Sequence, residues 1–221
     1  MAASHSPLLR KICGMRETQN IAEIATLEPD FMGFIFYPPS KRFAGDTLDP
    51  SALKQLPPHT KKVGVFVNAS DEDLQMYVER YDLDILQLHG DESATRCVHI
   101  RELLPSLTLW KAFGVDEDFD FDVLTPYTQS CARFVFDTKS KQYGGTGRTF
   151  RWDLLEAYPL THPFFLSGGL NTEHTEEIKR RAQLWPALCG VDLNSQFELR
   201  PGFKSFERLK QMFHGLDAKE I

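Results

Sequence analysis

Eight short apolar runs, separated by longer stretches of mixed character, constrain this chain more than any other feature. They are Leu9–Ile12, Phe31–Phe36, Lys62–Val67, Ile85–Leu88, Thr108–Phe113, Phe134–Asp137, Phe164–Ser167 and Gly190–Asp192. They are rich in Val, Ile, Leu and Phe, as strands are when both faces of a parallel sheet are covered. Amphipathic segments fill most of the gaps. Glu17–Leu27 puts Ile21, Ile24 and Ala25 on one stripe, and Asp71–Tyr81, capped at Ser70 or Asp71, carries Leu74, Tyr77, Val78 and Tyr81. Asp91–Leu104 carries Ala94, Cys97, Val98 and Arg101 on one side, and Thr172–Ala182 and Ser205–Phe213 read as two further helices. The connections after the second, fifth and sixth strands are weak as helices, because Pro57–Pro58, Pro126 and Pro159 cut them short. Eight strand–helix steps in 221 residues predict a single parallel (β/α)8 barrel spanning 1–221, with residues 1–7 a floppy extension. A doubly wound open sheet is the competing arrangement.

Composition narrows the function classes. The net charge is −6 with a pI near 5.7, and no basic patch of the kind nucleic acid requires stands out. An anionic ligand must therefore be held by a local site working against the global charge. No apolar run approaches the roughly 20 residues of a membrane span, and the N-terminus lacks a signal-peptide pattern, so the cytoplasm is the expected compartment. The four cysteines, Cys13, Cys97, Cys131 and Cys189, form no C-x-x-C pair and no zinc pattern, and no cofactor motif is present.

In a parallel barrel, chemistry sits at the C-terminal ends of the strands. Strand one ends Lys11-Ile12-Cys13-Gly14. Alternation puts Lys11 and Cys13 on one face, and an ammonium beside a thiol is expected to favour the thiolate, making Cys13 a base. Strand six ends on Asp137 after three apolar residues, where partial desolvation would suit it to donate a proton. Gln87 and His89 share a face at the end of strand four, and Arg42 follows strand two closely enough to clamp a carboxylate or lie against a ring. Gly168-Gly169 before a helix and Asp192-Leu193-Asn194-Ser195 after strand eight are two candidate phosphate loops. Gly144-Gly145-Thr146-Gly147 lacks the Lys-Ser/Thr ending of a nucleotide-binding loop and reads as a flap over the mouth. Each residue has a plainer reading: a buried inert thiol, a capping aspartate, a solvated arginine, ordinary turn glycines. Together they describe a phosphate-binding barrel with an acid and a base at one mouth, which suits a proton-transfer isomerisation.

Lys11-Ile12-Cys13-Gly14, Gly33-Phe34-Ile35-Phe36, Val63 to Asn68, Gln87 to Glu92, Gly144 to Gly147 with Phe150 and Trp152, Ser167 to Leu170, Gly190 to Asp192 and Pro201 to Lys204 resemble, in order and in spacing, the phosphoribosylanthranilate isomerases. The resemblance implies a (β/α)8 barrel that converts N-(5-phosphoribosyl)anthranilate to its anilino-deoxyribulose phosphate in tryptophan biosynthesis. It also implies Cys13 as base, Asp137 as acid, Arg42 near the anthranilate, and Gly168, Gly169, Asn194 and Ser195 around the phosphate. Lys11, Gln87, His89, Gly145 and Asp192 complete the expected substrate-binding set, in a monomer needing only its small phosphorylated substrate. Three positions depart from the family pattern: Lys41 stands where proline is expected, Ser167 where alanine is common, and Gln196-Phe197 where a small Gly-Val pair is usual. The last is the support for one alternative, a barrel that binds phosphorylated ligands without turning them over. The other alternative is a sister isomerase for a related phosphoribosyl substrate, of a kind that resembles the histidine-biosynthesis enzymes, which typically carry an aspartate where Cys13 stands.

Overall fold

The structure is a computed structural model and describes residues 7–45, 47–138 and 152–218. Eight parallel strands close on themselves in chain order: β1 (Leu9–Cys13), β2 (Phe31–Ile35), β3 (Lys61–Phe66), β4 (Ile85–Leu88), β5 (Thr108–Val115), β6 (Arg133–Thr138), β7 (Phe164–Ser167) and β8 (Leu188–Leu193), with β8 paired back onto β1. The eight apolar runs are these strands, and closure rules out the open-sheet alternative. Helices α1 (Thr18–Ala25), α2 (Pro50–Leu53), α3 (Asp71–Tyr81), α4 (Ala94–Leu103), α5 (Thr175–Leu184) and α6 (Phe206–Asp217) cover the outside. After β5 and β6 the described residues form 3-10 turns, at Phe121–Tyr127 and Trp152–Ala157, where Pro126 and Pro159 predict weak helices. No helix among the described residues is long and apolar enough to cross a membrane.

Two apolar layers hold the barrel. Inside it, Cys13, Phe31, Val63, Val65, Ile85, Trp110, Ala112, Val135 and Phe165 pack together. Trp110 is fully buried, stacks on Phe165 at 4.8 Å and meets Phe31 edge-on at 4.9 Å, so one aromatic column fills the axis. Between strands and helices lies the larger layer, to which β1 contributes Ile12. Ile12 facing the helices is what turns its neighbours Lys11 and Cys13 inward.

Local caps set the helix starts. Ser70 accepts from the Asp73 N–H and Ser93 from the Arg96 N–H, each at 3.1 Å. Helix α4 buries Cys97 and Ile100, while Val98 is 41% exposed and Arg101 is exposed, so the predicted stripe is rotated. The apolar neighbour of Cys97 three residues on decides the face, not Val98 beside it. The region predicted as one helix from Thr172 is a 3-10 turn, Thr172–His174, leading into α5. A small antiparallel hairpin, β9 (Glu198–Arg200) with β10 (Phe203–Lys204), follows β8 and is absent from the sequence-based expectation.

Candidate active site

The C-terminal ends of the strands surround a cavity of about 260 Å³. Its wall brings together Cys13 from β1, Arg42 from the loop after β2, Gln87 and His89 from β4, Asp137 from β6, Gly168 and Gly169 after β7, and Asp192, Asn194 and Ser195 from β8 and beyond. Eleven residues singled out in the sequence therefore meet here, if Lys11 is counted through its ion pair with Asp192. Gly145, with the rest of the Gly144–Gly147 segment, lies outside the described residues, as does the predicted floppy extension except for Pro7.

On the β1–β8 side, Lys11 and Asp192 are register partners, and their side chains pair at 2.8 Å in full burial. The same ammonium lies against the Cys13 thiol. Burial pulls the Lys11 ammonium down, but Asp192 and Cys13 more than offset it and leave the group above its ordinary range. For Cys13 the balance differs from expectation. Burial is the largest influence and pushes the thiol up, Lys11 pulls it down, and Asp192 pushes it up again. The net direction is upward: Lys11 favours the thiolate as expected, but desolvation of the thiol and the Asp192 carboxylate oppose it. Gly33 on β2 leaves the space that Cys13 uses, since a Cβ there would stand 2.9 Å from Sγ.

On the facing side, Gln87 is fully buried and its Nε2 lies 3.3 Å from Nδ1 of His89. With the amide so oriented, it donates to Nδ1 and leaves the His89 proton on Nε2, a tautomer assigned from the network. His89 Nε2 lies 3.8 Å from Oδ2 of Asp137, and the two side chains are 36% and 27% exposed. Glu92 pins the adjoining loop by accepting from the Asn68 and Gly90 N–H groups at 2.7 and 2.9 Å.

Gly168 and Gly169 have φ of 87° and 67°, a left-handed pair that side chains resist, and line the cavity beside Ser195. The α5 N-terminus contributes less than expected. Asn171 caps the intervening turn, accepting from the Glu173 N–H at 2.9 Å, while its own N–H donates to His174. The departures prove mild. Gln196 is exposed and has no positive φ, so glycine is not required there, and its carbonyl accepts from Arg208 at 3.3 Å. Phe197 turns inward and is 1% exposed in the outer core. Lys41 is exposed, with its carbonyl accepting from Arg16.

Arg42 is not a free clamp in this structure. Its Nε and Nη2 donate to both carboxylate oxygens of Glu198, at 2.8 and 2.6 Å. Lys204 donates to Glu198 Oε1 and to Asn194 Oδ1, both at 2.7 Å. Burial pushes the Glu198 carboxyl up, but Arg42 and Lys204 together hold it below its ordinary value, and burial brings the Lys204 ammonium down against the pull of Glu198. Sequence reasoning missed this pair; the only trace is that Glu198 and Lys204 flank the Pro201-Gly202 turn in a stretch otherwise poor in helix signal.

With this geometry in hand, comparison with known proteins is decisive. Residues 10–215 match the family described as N-(5'-phosphoribosyl)anthranilate (PRA) isomerase. The chain belongs to this family. A relative from Parabacteroides distasonis, named N-(5'-phosphoribosyl)anthranilate isomerase, is 42% identical over 92% of this chain and 90% of its own. One of the same name from Phocaeicola vulgatus is 36% identical over 96% and 99%. The crystal structure of phosphoribosyl anthranilate isomerase from Thermotoga maritima superposes with a TM-score of 0.75 at 31% identity, covering 95% of this chain and 98% of that one. A further isomerase structure, in complex with reduced 1-(o-carboxyphenylamino)-1-deoxyribulose 5-phosphate, superposes at 0.74 with 28% identity over 95% and 98%. Family membership and the closed barrel thus agree.

Proposed function

We propose that this chain carries out its family's isomerisation with Cys13 as base and Asp137 as acid. The reaction converts the aldose-derived N-(5-phosphoribosyl)anthranilate to the ketose 1-(2-carboxyphenylamino)-1-deoxyribulose 5-phosphate in tryptophan biosynthesis, and the chain is an isomerase of that step. Asp137 gives a proton to the furanose ring oxygen, and the ring opens to an iminium. Cys13, as thiolate, takes the C2 proton, and the resulting enolamine tautomerises to the ketone by gaining a proton at C1 and losing the one on the C2 hydroxyl. The single observation that carries this reading is that Cys13 and Asp137, from strands β1 and β6, line one cavity together.

The supporting roles follow from placement. Lys11 offers a charge beside Cys13 that favours the thiolate, with Lys204 assisting. Gly168, Gly169 and Ser195 offer backbone N–H groups and a hydroxyl to the phosphate, Arg42 receives the aryl carboxylate, and Gln87 and His89 orient Asp137 or the ring oxygen. The reading extends to a monomer in the cytoplasm, a compartment in which free thiols such as these four persist; gel filtration tests the monomer. The decisive assay follows loss of substrate fluorescence in Cys13→Ala and Asp137→Asn. Each is expected to lose at least about a hundredfold in kcat, the usual worth of a positioned acid or base, while keeping its circular dichroism. Near-normal turnover in either folded variant overturns the assignment, and equal activity on the sister phosphoribosyl substrate would favour the alternative enzyme.

A further inference from the structure

We propose that Glu198 is a positioning residue that holds Arg42 ready for the substrate's aryl carboxylate and, through Lys204 and Asn194, ties that receptor to the loop that takes the phosphate. The inference rests on the role given to Arg42 above and names a residue that role depends on.

The first support is geometric. An arginine guanidinium carries five N–H donors in a planar fork. Glu198 takes one edge, Nε and Nη2, in a bidentate contact. The other edge, Nη1 with the second Nη2 hydrogen, remains able to receive a second carboxylate in the same bidentate way. Arg42 reaches solvent (24% side-chain exposure), whereas Glu198 and Lys204 are 5% and 0% exposed. The mouth therefore sees the arginine, and the arginine is backed by a buried anion.

The second support is charge. Arg42 and Lys204 face one Glu198 carboxylate, so the cluster keeps one net positive charge. An Arg–Glu pair alone would be neutral and would attract an anion poorly in a chain of net charge −6. Lys204 thus lets Glu198 fix Arg42 without cancelling its attraction for the ligand.

The third support is how firmly the cluster is built in. Glu198 also accepts from the Gly202 N–H at 3.0 Å across the hairpin turn. The Lys204 backbone is gripped by the buried Asn20 amide, with the Lys204 N–H donating to Oδ1 at 2.7 Å and Nδ2 donating to the Lys204 carbonyl at 3.0 Å. The cluster rests directly on the residue after the base. A Cβ on Gly14 would meet Arg42 Cδ at 2.8 Å, Asn194 Oδ1 at 2.9 Å and Lys204 Nζ at 3.5 Å, and Gly14 has φ +80°. The β9–β10 hairpin thereby connects the two ends of an elongated substrate: Arg42 at the carboxylate end, and Asn194, next to Ser195, at the phosphate end.

The test compares binding of two ligands, the reduced carboxyphenylamino ketose phosphate and its phenylamino counterpart without the carboxylate. Wild-type protein is expected to prefer the carboxylate by about tenfold or more, the worth of a charged hydrogen-bonded pair. Glu198→Gln is expected to reduce that preference below about threefold, with the loss expressed in KM for the natural substrate more than in kcat. Glu198→Asp, which keeps the charge on a shorter arm, is expected to restore part of it. An undiminished preference in a folded E198Q overturns the proposal. If E198Q does not fold, as judged by near-UV circular dichroism, E198D decides: a preference equal to wild type overturns it, a reduced one supports it. Absence of any preference in wild type removes Arg42 as carboxylate receptor and Glu198 with it, while leaving the Cys13 and Asp137 roles standing on their own assay.

Discussion

The two walls of the mouth are built differently. The wall on the β1–β8 side carries two sets of ion pairs, largely buried: Lys11 with Asp192 at 2.8 Å, and Lys204 and Arg42 with Glu198 at 2.6 to 2.8 Å. The β4–β6 wall is more exposed at its side chains. His89 and Asp137 stand 3.8 Å apart and are each about a third exposed, although Glu92 pins the loop behind them. The difference fits the two jobs. A carbon acid must be met by a base in one fixed place, because proton transfer from carbon tolerates little misalignment. A ring oxygen bears lone pairs and can be reached by an acid with some freedom of approach.

Breaking the buried wall has the larger expected effect. Lys11→Met leaves the Asp192 carboxylate buried without its partner, and loss of stability of about 3–5 kcal/mol is expected in a denaturant titration. A loss under about 1 kcal/mol would mean that the pair is solvated in solution. Phe197→Ala should cost a similar amount, about 3–5 kcal/mol, because it empties a buried ring from the outer core, whereas Gln196→Gly should stay within about 0.5 kcal/mol. Equal costs for these neighbours would show that the turn after β8 is not ordered as described.

Asp192→Asn sharpens the comparison through pH. The Asp192 charge raises the Cys13 pKa, so its removal lowers it, and the limb of the pH–rate profile that reports Cys13 should move to lower pH. The profile is read as apparent values of the coupled set. A limb that stays in place would separate Asp192 from the base. On the more exposed wall, His89→Gln should lower kcat/KM by only about fivefold or less, the range of a partly exposed pair. A loss as large as that of Cys13→Ala would make His89 an equal partner of the acid and erase the contrast between the walls.

Much of this was legible in the chain. The eight runs gave the eight strands, since strands covered on both faces need near-continuous apolar sequence, and alternation around Ile12 was enough to send Lys11 and Cys13 inward. Helices α1 and α3 followed their apolar spacing. The stripe on α4 did not, because Cys97 and Val98 offer two nearly equal faces and only the packing of Ile100 chooses between them. The pairing of Glu198 and Lys204 with Arg42 was not legible, although Lys204 closes one of the motifs singled out in the sequence. An ion pair to Arg42 spans 156 residues of sequence, and nothing local distinguishes its acid from a surface glutamate.

For Cys13 the division is plain. The sequence by itself determined that a cysteine stands at the end of the first strand, on the same face as a lysine. Only the tertiary structure decided the direction in which its pKa moves, because burial and the Asp192 carboxylate on the neighbouring strand outweigh the lysine two residues away. Spacing along a strand reports direction; desolvation and charge balance depend on which strands close around the residue.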